Sequence, residues 1–419
     1  MVPAENKMAV TPKLSEAEFA KLPLAQKNAY LRNVAPKQRM DLILSDHDAR
    51  RLVAAMQPQE FFWLMKEIGE TDALGLLQIA SPDQCLFILD TELWEGYTFS
   101  EEKACRWLSY FMEGGEPRVH ELLKHLDFEF LLMFLTQELI VQGGIGDLSE
   151  DEERFGDYDL TLDGVFMISF KNPKQSQLIG SFLSMLIKLD NPLYTALMEG
   201  IKGDVDLELE EQCQRFRTGR LEDLGFPPLD EALSIYARVN LASFELHGDK
   251  VLRPAGECAG LIPIRAQEDT LLFRALALAD SETLMQELNY LVNNALVAEG
   301  GAFAEPETMT GVLQRVCGYL NIALEHLSGG DENKAAAVLS GELLKRLFQL
   351  GYSIVLELKF AAQDTETVDY ASGKLLAGLK AKRPRFYRGL DPDGIDGYRE
   401  FKDLADVKRA AGLLGQLRG

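Results

Sequence analysis

A short phrase that opens a helix recurs roughly every dozen residues between Ala35 and Asp90. This repeat constrains the fold more than any other feature of the chain. Ser81-Pro82-Asp83-Gln84 and Gln57-Pro58-Gln59-Glu60 show it most fully. Ala35-Pro36-Lys37-Gln38 and Ser45-Asp46-His47-Asp48 fill the same slot, and Glu70-Thr71-Asp72-Ala73 fits it loosely. Proline at a first helical position already has the required φ and needs no donor. Ser45 and Ser81 can accept from free backbone N–H groups, and Ser81 with Gln84 reads as a capping box. An apolar pair follows each start at a constant offset: Leu42-Ile43, Leu52-Val53, Leu64-Met65 and Ile88-Leu89. Leu77 keeps the pattern where Gln78 breaks it. Helices of about ten residues are too short to stand alone. They must bury their stripes on one another, as in a solenoid, with Leu52, Leu64, Leu77 and Ile88 on one buried seam.

The repeated phrase, over roughly Leu22 to Trp94, resembles the intracellular N-domain of MgtE-type magnesium transporters. More distantly it is similar to the superhelix of flagellar motor-switch proteins. The resemblance implies a superhelical fold. Those transporters continue into a cystathionine-synthase-type regulatory pair and a membrane domain. This chain shows no transmembrane segment, so no metal residue is carried over. The whole-chain layout also resembles an uncharacterised bacterial domain-of-unknown-function family, which implies no activity.

Charge narrows the partners. Lys+Arg 43 against Asp+Glu 66 gives a formal net charge of -23. Such a surface repels phosphate backbones and anionic membranes. Nucleic acid is therefore not expected as a partner. The most apolar run, Phe128 to Val141, is broken by Glu129, Gln137 and Glu138. It is shorter than the ~20 apolar residues a bilayer span needs. Cys85, Cys105, Cys213, Cys258 and Cys317 form no CxxC pair, which suits reduced thiols in a cytoplasmic protein.

Beyond the repeat, helices are expected over Ser100 to Met112 and Asp127 to Val141, with Gly143-Gly144-Ile145-Gly146 as a stop and linker. An acidic stretch follows from Asp147. Asp163-Gly164 between Tyr158–Leu162 and Val165–Phe170 predicts a β-hairpin. Helices return over Gln175–Leu189, Pro192–Ile201, Leu229–Val239, Asp269–Ala279, Ser281–Ala298, Glu307–Leu327 and Asn333–Ala362, and Leu252–Ile264 is loop-rich. The expected fold is mainly α: an N-terminal right-packed solenoid of short helices, a central acidic β-hairpin and a C-terminal helical bundle. The expected divisions are a tail at 1–20, the repeat domain at 21–145 and the acidic linker and hairpin at 146–172. A bundle at 173–370 and a basic, Asp-Gly segment at 371–419 complete them.

Motif chemistry is incomplete wherever it was sought. His120-Glu121-Leu122-Leu123-Lys124 lacks the second histidine of a zinc helix. Gly373-Lys374-Leu375 lacks the phosphate loop's hydroxyl, and no GxSxG elbow occurs. No catalytic residue and no cofactor are expected. Asp391, Asp393 and Asp396 alternate with glycine as in a Ca²⁺ loop, but Ile395, Asp396 and Lys402 stand where that loop needs a ligand, a glycine and a bidentate glutamate. The three aspartates are weak metal candidates, and a tight turn is the simpler reading. Just upstream, Lys382, Arg383, Arg385, Tyr387 and Arg388 interleave cations with aromatics. They are the candidates for a protein partner or for docking on the chain's own carboxylates around Glu150 to Asp159. The expected function is a non-enzymatic interaction or regulatory scaffold with an unidentified protein partner. The alternatives are an enzyme with a non-motif site around the hairpin and a divalent-metal-responsive protein.

Overall fold

Proline and capping residues place the helix starts of the N-terminal half. A computed structural model describes residues 14–96, 98–144, 146, 157–203, 208–248, 250, 270–279, 282–300, 306–367 and 369–418. Its first helices are α1 (Glu16–Phe19), α2 (Leu24–Leu31), α3 (Pro36–Ser45), α4 (Ala49–Ala54), α5 (Pro58–Ile68), α6 (Leu74–Leu77) and α7 (Pro82–Glu92). Pro36, Pro58 and Pro82 each begin a helix, and both halves of the Ser81–Gln84 capping box are made. Leu52, Leu64, Leu77 and Ile88 are all buried. Ser45 differs from expectation. It closes α3, donating to the Leu42 carbonyl at 3.2 Å, and Asp48 precedes α4 instead. Serine supports either end of a helix when its hydroxyl can bond back to a carbonyl.

Polar side chains tie successive helices together. Lys27 Nζ lies 2.6 Å from Asp46, Arg39 pairs with Glu60, and Lys66 Nζ lies 2.9 Å from Glu92. Gln84 Nε2 donates to the carbonyls of Val53 at 2.7 Å and Met56 at 2.9 Å, satisfying acceptors at the end of α4. Lys27, Asp46, Glu60, Gln84 and Glu92 are buried, so each bond also removes a desolvation penalty.

The N-terminal half continues through β1 (Trp94–Glu95), β2 (Thr98–Phe99), α8 (Glu101–Met112), α9 (Gly115–Leu123) and α10 (Phe128–Glu138). The helix expected over Asp127 to Val141 stops at Glu138. Leu139–Gly143 is a strand, β3, with alternating burial, and it pairs antiparallel with β4 (Phe166–Phe170) from Leu139↔Phe170 to Gly143↔Phe166. Gly143, expected in a linker, ends this strand at φ +77° and is followed by Gly144 at +126°. The expected hairpin is reduced to one bridge, Leu160↔Ile168. Asp163-Gly164 does make the turn, with Asp163 Oδ1 accepting from Val165 N and Phe166 N. The main partner of β4 comes from before the acidic stretch because Leu139–Gly143 offers five residues in register, with Leu139, Val141 and Gly143 turned inward. Helices α11 (Ser176–Leu189), α12 (Asn191–Lys202) and α13 (Glu208–Asp223) follow.

Chain contacts divide the molecule into Met1–Thr218 and Gly219–Gly419. The division falls within α13, later than the 146–172 stretch the sequence suggested. The strands β3 and β4, with α11 and α12, pack on α8–α10 and so belong to the first unit.

The second unit holds α14 (Leu229–Leu233), α15 (Leu271–Ala279), α16 (Glu282–Ala298), α17 (Pro306–Ser328), α18 (Glu332–Gly341), α19 (Leu344–Gln363) and α20 (Tyr370–Lys380). A two-stranded ribbon, β5 (Phe386–Tyr387) with β6 (Tyr398–Arg399), and α21 (Leu404–Arg418) complete it. The single helix expected over Asn333 to Ala362 breaks between Gly341 and Leu344. There Glu342 leaves helical geometry and its carboxylate accepts from His247 N and Leu343 N. The α17–α19 crossing is close: a Cβ on Gly351 would lie 1.9 Å from the Tyr319 carbonyl oxygen. The loop-rich Leu252–Ile264, the cap expected at Ser281 and most of the acidic stretch lie outside the described residues. No helix among the described residues is long and apolar enough to cross a membrane.

Candidate functional site

The basic segment packs its two aromatic residues into the second unit and leaves its cations nearer the surface. Phe386 is fully buried, edge-on to Phe401 at 5.6 Å, with the Arg399 and Arg409 guanidiniums 4.2 and 5.0 Å from its ring centre. Tyr387, a candidate for partner binding or internal docking, is buried 6.1 Å from Tyr398. Apolar area on a two-residue strand is covered wherever a helix lies beside it, and α20 packs on β5. Arg383 lies over Tyr236 at 5.0 Å, donates to the Ala298 carbonyl at 2.9 Å and stands 3.4 Å from Glu299. Arg385 is half-exposed, 3.6 Å from Glu400, and Arg388 lies 3.1 Å from Asp393. Lys382 is exposed.

Behind this segment lies a buried ionic cluster. Arg315 makes a bidentate pair with Glu400, at 3.0 and 2.8 Å, and pairs with Glu299 through Nη1. Tyr236 Oη donates to Glu299 at 2.9 Å. Burial opposes the charge on Arg315, but Glu400 and Glu299 more than offset it and hold its pKa above the ordinary value. Tyr319 Oη is buried without a hydrogen-bond partner, and burial keeps that phenol protonated well above its usual range. The cluster ties the end of β6 to α17 and to the C-terminal end of α16. Its charges are spent on each other.

The three aspartates considered for a metal are occupied likewise. Arg399 holds Asp391 through two bonds of 2.7 Å and Asp406 through bonds of 2.5 and 2.8 Å. Its guanidinium holds the Asp391 pKa below the ordinary carboxylate value. Asp393 faces Arg388, and Asp396 accepts from Tyr370 Oη at 3.5 Å. The loop is a turn held by cations. Among the described residues Asp46, His47 and Asp48 also bring ligand atoms together, but Asp46 is engaged by Lys27. Two buried thiols are similarly quiet. Burial pushes Cys85 up to about 12 despite Arg118 at 2.8 Å, and Cys105 is raised by burial and by Glu138.

A cleft in the first unit has the character of a binding site. It measures about 660 Å³ and runs along one face of α11, where Ser176, Gly180, Ser181 and Ser184 are small. Leu160, Phe170, Pro173 and Met185 supply apolar wall, and Glu116, Asp159 and Lys188 supply charge. Its volume lies within the range of about 300–1,000 Å³ common for ligand sites, though its lining is more polar than theirs. The opposite face of α11 carries Ile179, Phe182, Leu183 and Leu186 into the core. The polar groups are turned to local backbone: Ser184 Oγ donates to the Gly180 carbonyl, Ser176 Oγ to the Pro173 carbonyl, and Asp159 Oδ2 accepts from Phe170 N. Apolar periodicity located α11 but missed the cleft. The missed signal was the four-residue spacing of Ser176, Gly180 and Ser184 on the face the core does not use.

Comparison with curated proteins and with solved structures finds no match. A family model described as "Family of unknown function (DUF6178)" matches residues 16–419, nearly the whole chain, and the chain belongs to that family.

Proposed function

We propose that this chain is a non-enzymatic interaction protein and that the α11 cleft receives a helical segment of a protein partner. The observation that carries the reading is the cleft's one-sided construction. Large side chains of α11 face the core, while Ser176, Gly180, Ser181 and Ser184 leave room for another backbone beside them. The guanidiniums and carboxylates of the C-terminal segment support the reading from the other side, because their bonds to one another fit a structural role. We place it in the cytoplasm, where cysteines without CxxC pairing stay reduced.

The test is a filled cleft. A Cβ on Gly180 would lie 3.5 Å from Phe170 and 3.8 Å from Leu160, ordinary contact distances. Gly180→Leu therefore keeps the helix and places its branch in the cleft. Affinity capture from native lysate, compared between wild type and Gly180→Leu, is expected to show a stoichiometric partner retained by the first and lost by the second. An unchanged captured set, with the variant's unfolding transition intact, overturns the reading.

A further inference from the structure

Resting on that cleft reading, the geometry points to a cationic amphipathic helix as the occupant. Length comes first. Ser176 to Lys188 spans the lined face of α11, which at 1.5 Å per residue is about 18 Å, or some three turns of a second helix. Small residues at four-residue spacing let two helix axes approach closely, and Leu160, Phe170 and Met185 give the incoming helix apolar area to cover.

An extended peptide is disfavoured by the state of the adjacent strand. The outer edge of β4 is the surface on which such a peptide would add itself. That edge is already occupied: Ile168 exchanges backbone bonds with Leu160 at 2.9 and 3.0 Å, Phe166 N donates to Asp163, and Phe170 N donates to Asp159. With the edge closed, side-chain packing along α11 is the mode of recognition the cleft still offers.

Charge sets the sign of the partner. Glu116 and Asp159 line the cleft, and its one lining cation, Lys188, lies 3.7 Å from Glu116. The chain as a whole carries -23. Carboxylates on an incoming helix would meet like charge locally and at long range, whereas lysines or arginines would be drawn in and paired at the rim.

The experiment titrates the full chain with two synthetic helical peptides that share a leucine-alanine face. One carries lysine and the other glutamate on its polar face. Calorimetry is expected to show the lysine peptide binding, weakening as salt is raised, and falling about tenfold or more on Gly180→Leu. Should that variant fail to fold, Ser181→Leu fills the same face. The glutamate peptide is expected to bind about tenfold more weakly or less. Glu116→Gln with Asp159→Asn should narrow the gap. Equal binding of both peptides, lost on filling the cleft, overturns the charge assignment and leaves the cleft reading standing. Lysine-peptide binding unaffected by Gly180→Leu shows adsorption to the acidic surface and overturns the inference. Binding of neither peptide overturns both.

Discussion

Arg315 shows how a single buried charge organises its surroundings. Its guanidinium is enclosed with Glu299 and Glu400 and is the nearest cation to both, with Arg383 and Arg385 farther off at 3.4 and 3.6 Å. Arg315→Ala takes the nearest cation from both buried carboxylates and is expected to cost about 3–5 kcal/mol in urea unfolding. The triple variant Arg315→Met, Glu299→Gln, Glu400→Gln should lose less, because both buried carboxylates are neutralised together with the guanidinium they pair. Leu64 tests the apolar counterpart. It is buried on the solenoid seam, and Leu64→Ala is expected to cost about 2–5 kcal/mol by lost contact and residual cavity. A loss below about 1 kcal/mol would mean that the seam collapses around the gap. The leucine was legible in the sequence because its neighbours lie within one or two turns of helix. Arg315 was not, because Glu400 lies 85 residues away and no local pattern announces the pair.

At the scale of elements, the junction of α10 and β3 turns on Glu138. Its carboxyl is buried, accepts from the Cys105 thiol at 3.4 Å and has Glu101 of α8 and Lys171 as further charged neighbours. Burial raises its pKa above the ordinary carboxylate value, with Glu101 adding to the rise and Cys105 and Lys171 opposing it. A raised native pKa means the folded state holds the proton more tightly than the unfolded chain. The stability this gives is present at low pH and declines as pH rises through the native value. Glu138→Gln should therefore flatten the decline in denaturation midpoint above the ordinary carboxylate range, and an unchanged pH profile would refute this. The same junction marks a limit of sequence reading. Leu139 to Val141 extends the helical apolar pattern of α10, and only the distant partner Phe166–Phe170 converts it to strand. The Asp163-Gly164 turn, a local signal, was legible, and the partner of β4 was not.

For the whole molecule the excess of carboxylates is the dominant long-range term. Self-repulsion at -23 opposes compactness, while the arginine–carboxylate clusters are buried and little screened. Raising ionic strength from about 0.01 M to 0.15 M shortens the screening length from about 30 Å to about 8 Å. The denaturation midpoint is expected to rise over that range. A fall would show that exposed ion pairs outweigh the net repulsion. Overall helical character was legible because it rests on local periodicity. The cleft was legible only as scattered small residues, since it takes Asp159, Phe170 and Glu116 from other elements to give them walls.

Gln84 has a consequence for how the chain is made. Its amide completes the carbonyls of Val53 and Met56, which precede it by 31 and 28 residues. During synthesis the end of α4 emerges first and must keep those oxygens in water until the later helix arrives. The solenoid thus gains this bond vectorially, with a newer layer closing an older one. A chain arrested with Gln84 still inside the exit tunnel leaves the end of α4 open, and chaperone engagement or protease sensitivity of arrested chains should change as that one residue clears the tunnel.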